Sequence, residues 1–197
     1  MNKKILEFTY AEYSMESRVM DLSMVALSFI PHIIAIVITT RAVSLRSLHH
    51  FIFFVGFVVC HVAAVFLKGV WKESRPTGSF MSSYGLPSDH SQIMFFTSIY
   101  LLSYMREKMN LQLWSLLLSI LCLASLSVGV ACSRLYLGVH SMKQVVVGGL
   151  LGVFIGRFWY ILTVQILLRS KRLSRLFDAT YDSIEKVFCS TRKRSAR

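Results

Sequence analysis

The chain has 197 residues, of which 54% are hydrophobic, and its mean hydropathy is +0.56. This composition excludes an ordinary water-soluble domain and predicts one domain embedded in a membrane. The formal net charge of +12 is typical of topology signals and of contacts with anionic lipid, so we expect a membrane and no nucleic acid as partner. The four cysteines form no CxxC pair, and three of them lie in or beside apolar runs, which favours small core residues over disulfides or zinc ligands; Cys189 lies in the basic tail.

Five apolar runs predict an all-α, polytopic membrane helix bundle. Residues 1–18 mix three glutamates with apolar and aromatic side chains, and we expect an interfacial helix or an irregular lead-in there. The predicted spans are residues 22–40, 51–67, 89–105, 111–131 and 145–168. Four of them approach the ~20 residues that a bilayer requires, and the third is shorter. The membrane domain is therefore predicted to occupy residues 19–168.

Other local features refine this prediction. Pro31 lies near the middle of the first span and predicts a kink, because proline removes a helix hydrogen bond. Gly148, Gly152 and Gly156 are spaced four residues apart and predict a face for close helix packing. Residues 169–197 place apolar side chains at three-to-four spacing among lysines and arginines, which predicts a basic amphipathic tail on the membrane surface.

Two polar segments, residues 68–90 and residues 132–141, interrupt the apolar runs. Alternation of the five spans places both segments at the same face of the membrane. The opposite face receives most of the other cations, namely Arg41, Arg46, Arg106, Lys108 and those of the tail. By the positive-inside rule that opposite face is cytosolic, so the polar segments and any site they form are expected to face the lumen or the exterior.

The two polar segments hold the residues that phosphoryl transfer requires. A phosphoryl group in transfer carries negative charge on its equatorial oxygens, so catalysis depends on positioning and on cations directed at that charge. Lys68, Arg75 and Arg134 supply the cations, and the start of the third span supplies backbone N–H donors. His90 and His140 can divide the remaining work, one attacking phosphorus and the other protonating the leaving oxygen.

Acidic residues are scarce in the same segments, where only Glu73 and Asp89 occur near the cations. Two carboxylates are too few for a magnesium cage. We therefore expect neither a metal ion nor another cofactor.

Three ordered motifs carry a family resemblance: Lys68 followed by Arg75-Pro76, the run Pro87-Ser88-Asp89-His90, and Ser133-Arg134 followed by His140. They resemble the three signatures of the type 2 phosphatidic acid phosphatase (PAP2) superfamily. Within it, residues 84–92 and 133–140 are most similar to the dolichyl-diphosphatases. The resemblance implies a multispan endoplasmic-reticulum enzyme with a lumenal site and a cytosolic C-terminus. That enzyme would hydrolyse dolichyl diphosphate to dolichyl phosphate and phosphate, recycling the lipid carrier of protein N-glycosylation.

The resemblance also implies a role for each matching residue. His140 would be the nucleophile and would carry a phospho-histidine, and His90 would be the acid and then the base that activates water. Arg134 would belong to the catalytic set. Phosphate would be bound by Lys68, Arg75, Ser88 and Arg134.

Two positions depart from the superfamily pattern. Asp89 stands where a small residue is usual, and it is expected either to cap the third span or to modulate the site. Gln144 stands where an aspartate is usual, and it can still accept the Nδ1–H of His140 and orient the ring, although it adds no charge.

Several alternatives remain open at this stage. A phosphatase of another lipid phosphate, such as phosphatidate or a sphingoid-base phosphate, fits the same motif spacing. A catalytically dead relative, disabled by Asp89 and Gln144, would bind lipid without turnover. A transporter that uses the intramembrane residues His61 and Arg157 is a third alternative.

Overall fold

A computed structural model describes residues 3–6, 11–14, 18–45, 48–79, 81–109, 111–163 and 175. Two short strands, β1 (Lys3–Leu6) and β2 (Ala11–Ser14), pair antiparallel at the start of the chain. Five helices follow in the described residues, and each overlaps one predicted span: α1 (Arg18–Ser44), α2 (Leu48–Trp71), α3 (Asp89–Lys108), α4 (Leu113–Tyr136) and α5 (Met142–Tyr160). The prediction of an all-α bundle is confirmed for the membrane domain. The prediction of a helix or an irregular lead-in is wrong for the two strand segments.

Four helices, α1, α2, α4 and α5, are long and apolar enough to cross a membrane, so the chain is a multi-pass membrane protein. Helix α3 has 20 residues but is less apolar, because its buried side chains include Ser91, Gln92, Thr97 and Ser98. It packs against all four other helices, which shield these polar groups from lipid. The third span, which the sequence set apart only by its shorter length, is therefore the polar centre of the bundle.

Small residues allow α5 to lie directly on α3. A side chain at Gly148 would meet the backbone of Ser88, and one at Gly152 would meet the backbone of Gln92. The packing face predicted from the glycine spacing is confirmed by these contacts. Two polar side chains of α3 find partners across the other interfaces: Gln92 Nε2 donates to the Cys60 carbonyl at 2.8 Å, and Ser98 Oγ lies 2.8 Å from Ser127 Oγ.

Helix ends differ from the predicted boundaries in ways that affect the site. Helix α4 continues to Tyr136, so Arg134 lies on its last helical turn and not in a loop. The helix tolerates Ser133 because its hydroxyl donates to the Val130 carbonyl at 2.7 Å. Helix α1 continues through Pro31 without a break. The end of the predicted fifth span and the amphipathic tail lie outside the described residues, apart from Arg175.

Candidate active site

The predicted site residues meet where four helix ends converge. Lys68 lies on the last turn of α2, and Ser88 and His90 lie at the start of α3. Arg134 lies on the last turn of α4, and Gln144 lies on the first turn of α5. The loop between α2 and α3 contributes Arg75 and returns across the ends of α4 and α5. The antiparallel order of the helices thus brings both polar segments to one face, as the alternation of spans predicts.

A tight turn after α4 positions His140. Gly138 adopts a φ of +67°, a left-handed conformation that glycine accepts without a Cβ clash. The turn directs the backbone N–H groups of Val139 and His140 to the Arg134 carbonyl, both at 3.3 Å. Ser141 then caps α5, accepting from the Gln144 N–H at 3.3 Å. His140 is held between the end of one helix and the start of the next.

Gln144 fixes the orientation of the His140 ring. Its Nε2 donates to the Ser74 carbonyl at 2.8 Å, which identifies the other amide atom as the oxygen. That oxygen, Oε1, accepts from His140 Nδ1 at 3.1 Å and from the Ser141 N–H at 3.3 Å. Since Nδ1 must carry the proton, Nε2 of His140 presents a lone pair. The contact arises from the capping box at the start of α5 and not from two residues on one helix face.

Arg75 lies against that lone pair. Its Nη1 is 3.1 Å from His140 Nε2 and donates to the Val139 carbonyl at 2.6 Å. Its Nε and Nη2 donate to the backbone and the side chain of Ser83, at 3.1 and 3.3 Å. The loop therefore holds the guanidinium where it faces the atom that would attack a phosphorus.

The site concentrates positive charge. Burial, together with the charges of Arg75, Arg134 and Lys68, lowers the pKa of His140 to about 3. Burial also lowers the pKa of Arg75. Arg134 is 1% exposed, so the site places a guanidinium away from water. Buried cations that face one another favour an anionic ligand, which would relieve their repulsion.

His90 occupies the inner side of the site. Its Nε2 is buried and has no hydrogen-bond partner among the described residues. Its ring contacts the ring of His32 edge to face, with the centroids 5.4 Å apart. The charges of Arg134 and Lys68 act on the rings of both His90 and His140, so the two histidines share one cluster of cations. His32 was not predicted as a site residue, because it lies in an apolar span and belongs to no motif.

Asp89 turns away from the helix terminus that it was expected to cap. Its Oδ2 accepts from His61 Nδ1 on α2 at 3.0 Å. Ser88 occupies the N-cap position of α3 without a capping side-chain hydrogen bond. Its hydroxyl accepts from Ser91 Oγ at 3.3 Å, and its N–H donates to the Gln144 carbonyl at 3.0 Å. Asp89 therefore does not cap α3, and its second expected role, that of modulating the site, stays a prediction.

Glu73 and Lys143 lie at the rim of the site and form a pair. The sequence did not predict this pairing. Lys143 donates to Glu73, and this hydrogen bond lowers the pKa of Glu73. Gln144 Nε2 also lies 3.3 Å from Glu73 Oε1. The pair anchors the loop over α5. Among the described residues, no group of three or more histidine, cysteine or acidic side chains could hold a metal ion.

The fold and the geometry define a class: a multi-pass helical membrane protein with a buried, cationic anion site that contains two histidines. Residues 50–167 match the family model described as the PAP2 superfamily. The chain belongs to this superfamily, as the three motifs predicted. Its fold is also that of a solved structure, a transmembrane PAP2-type phosphatidylglycerolphosphate phosphatase from Bacillus subtilis. The TM-score is 0.66 at 17% identity, over 77% of this chain and 80% of that chain.

Two relatives of this chain are named dolichyldiphosphatase 1. Dolichyldiphosphatase 1 of Dictyostelium discoideum is 35% identical over 138 residues, which cover 68% of this chain and 60% of that protein. Dolichyldiphosphatase 1 of Homo sapiens is 31% identical over 153 residues, which cover 72% of this chain and 64% of that protein. The chain thus spans less than two thirds of the length of either relative.

Proposed function

We propose that the protein hydrolyses dolichyl diphosphate to dolichyl phosphate and inorganic phosphate through a phospho-histidine. One observation carries the proposal: Gln144 holds His140 with its Nε2 lone pair beside Arg75 and in a cluster of cations. A terminal phosphate that enters this cluster would meet a nucleophile and its charge-stabilising groups together. The relatives named dolichyldiphosphatase support the choice of substrate.

In the first proposed step, His140 Nε2 attacks the terminal phosphorus. A P–N bond forms, and the bond from that phosphorus to the bridging oxygen breaks. Arg75, Arg134 and Lys68 stabilise the charge on the equatorial oxygens. His90 gives its proton to the departing dolichyl phosphate, and the negative charge of the bound substrate favours the protonated form of His90 that this step requires.

In the second step, His90 accepts a proton from water as the water oxygen attacks the phosphorus of the phospho-histidine. The P–N bond breaks, its electron pair returns to His140 Nε2, and inorganic phosphate leaves. Ser88 and the first N–H groups of α3 are proposed to hold the phosphate during both steps. Gln144 keeps the His140 ring in one tautomer throughout.

The proposed setting is the endoplasmic-reticulum membrane, where the product would be reused as the lipid carrier of N-glycosylation. Charge distribution supports a lumenal site and a cytosolic C-terminus, because Arg41 and Arg106 lie on the last turns of α1 and α3, at the helix ends opposite the site, and the sequence after α5 is strongly basic. A glycosylation acceptor sequence inserted into the loop at residues 77–79 tests this topology. Its modification in microsomes would support a lumenal loop, and the same insertion at residue 110 should remain unmodified.

The activity is tested with purified protein in detergent and a chelator, offered dolichyl diphosphate and phosphatidate side by side. We expect phosphate release from dolichyl diphosphate and its loss in His140→Ala. Release from phosphatidate alone would keep the chemistry and reject the substrate. No release from either would favour a catalytically dead relative.

The intermediate is tested with substrate labelled in the terminal phosphate. In the His90→Ala protein we expect labelled phosphate to accumulate on His140, because no group would activate the water. Acid lability and peptide mapping identify the labelled residue. Label on another residue would reject the proposed division of roles.

A further inference from the structure

A cavity of about 520 Å³, here called the second cavity to distinguish it from the proposed active site, lies between α1, α2, α3 and α4. None of the proposed site residues lines it. Its polar end is formed by the last turn of α1 and the start of α2, whereas the active site lies at the end of α2 and the start of α3. The two sites therefore open toward opposite faces of the membrane. The volume falls within the ~300–1,000 Å³ range of small-molecule pockets.

Most of this second cavity is hydrocarbon-like. The wall consists of aliphatic, aromatic and methionine side chains from all four helices, such as Ile34, Ile38, Phe53, Met94, Leu101 and Leu126. Three of the four helices are membrane-crossing segments, so lipid is the surrounding solvent. An apolar cavity excludes water, and a hydrocarbon chain is the occupant that its wall favours.

The polar end of the second cavity is basic. Arg41 lies on the last turn of α1 and is exposed, and His49 and His50 lie on the first turn of α2. His50 Nδ1 is buried and has no hydrogen-bond partner among the described residues. His49 stacks on Tyr104, with the ring centroids 4.1 Å apart, and its Nδ1 lies 3.4 Å from Tyr100 Oη.

The charge of this basic end is not offset within the described part of the cavity lining. Among the described residues, the cavity lining contains neither aspartate nor glutamate. Glu107, near the end of α3, is 3.5 Å from Arg157 and accepts from the Tyr160 hydroxyl at 3.0 Å. The Arg41 guanidinium and the His50 imidazole lie at one end of an apolar cavity. Together they complement an anionic headgroup that is joined to a hydrocarbon chain.

We propose that the second cavity binds an anionic phospholipid from the leaflet opposite the active site. Its phosphate lies beside Arg41 and His50, and one acyl chain fills the space between α1 and α3. A zwitterionic phospholipid carries its own cation, which offsets the charge of its phosphate, so Arg41 would attract it less strongly than an anionic phospholipid. This inference concerns lipid binding and does not depend on the reaction proposed above.

Native mass spectrometry of the full chain tests this binding, with phosphatidylglycerol and phosphatidylcholine of identical acyl chains as probes. We expect the wild type to retain one phosphatidylglycerol about tenfold more tightly than phosphatidylcholine, as a charge-assisted contact would provide. Arg41→Gln should abolish this preference. Arg106→Gln is the matched control, because it removes a cation from the last turn of α3 that does not line the cavity. Lipid in the active site contributes equally to both variants.

Leu101→Trp tests the apolar part by filling the cavity from α3. We expect loss of the retained phosphatidylglycerol with an unchanged unfolding midpoint in detergent, which shows that the variant folds, and with unchanged phosphate release. Equal retention of both lipids by the wild type, or equal losses in Arg41→Gln and Arg106→Gln, would overturn the proposal. So would a Leu101→Trp protein that keeps the lipid but has a lower kcat/KM for dolichyl diphosphate, because the cavity would then hold the substrate chain.

Discussion

Gln144 Oε1 accepts a hydrogen bond from His140 Nδ1 at 3.1 Å, so a neutral amide orients the proposed nucleophile. A carboxylate at this position would both orient the ring and balance its charge. The amide leaves His140 exposed to the field of Arg75, Arg134 and Lys68, which together with burial lowers its pKa to about 3. The ring is therefore neutral and nucleophilic across the whole physiological range.

Gln144→Asp is expected to raise the pKa of His140, since an opposite charge nearby stabilises the imidazolium by about 1–3 pH units. A base with a pKa near 3 stays neutral above that pH, so wild-type kcat/KM should show no loss from His140 between about pH 5 and 7. In Gln144→Asp, the pH below which kcat/KM falls should rise toward pH 5. The pH profile of kcat/KM measures the shift. Gln144→Asn is the control of equal size, and an identical limb in both variants would contradict a charge effect.

Arg75→Lys is expected to lower kcat/KM about 100-fold while leaving the fold intact. A lysine cannot reproduce the planar fork that contacts His140 Nε2, the Val139 carbonyl and the Ser83 carbonyl at once. Steady-state kinetics with dolichyl diphosphate measure the loss. Ser83→Ala removes only the 3.3 Å contact to Nη2 and should cost less than tenfold. Equal effects of the two substitutions would show that Arg75 acts through the loop alone.

The bundle and the clustering of the motif residues follow from the sequence because both depend on helix order. Apolar runs locate the helices, and alternation of the helices places Lys68, His90 and Arg134 at one face. The strands at residues 3–6 and 11–14 were not predicted, since short strands among charged residues carry no clear periodicity. The polar character of residues 132–136 suggested a loop, but the helix satisfies Ser133 internally and continues.

Contacts between helices could not be predicted from the sequence, because they depend on how each helix is rotated about its axis. Nothing in the spacing of His61 and Asp89 indicates that α2 turns one side chain toward the other. The same holds for His32 against His90, and for Lys143 against Glu73 across the loop. Gln144 is the intermediate case: its contact with His140 was predicted, whereas its bond to Ser74 required the path of the loop.

His61→Ala is expected to raise KM about fivefold, because it removes the partner of Asp89 and leaves a carboxylate facing the cations that bind phosphate. Asp89→Gly should remove the repulsion between this carboxylate and the substrate phosphate, so KM should stay unchanged or fall. The double variant should then match Asp89→Gly alone, since His61 would have no partner left to lose. A double-mutant cycle on KM measures the coupling. Additive effects of the two substitutions would contradict the pairing.

Gly152→Ala is expected to destabilise the bundle by about 1–3 kcal/mol, because the added methyl would press on the Gln92 carbonyl and the Phe96 N–H of α3. For a chain of this size that corresponds to a fall of roughly 2–12 °C in the unfolding midpoint. Thermal unfolding in detergent measures it. Gly69→Ala is the matched control on α2, where no atom lies within 4 Å of the added carbon. That variant should be as stable as the wild type or more stable, because alanine favours the helix. A similar loss in both variants would show that the effect does not come from the contact between α3 and α5.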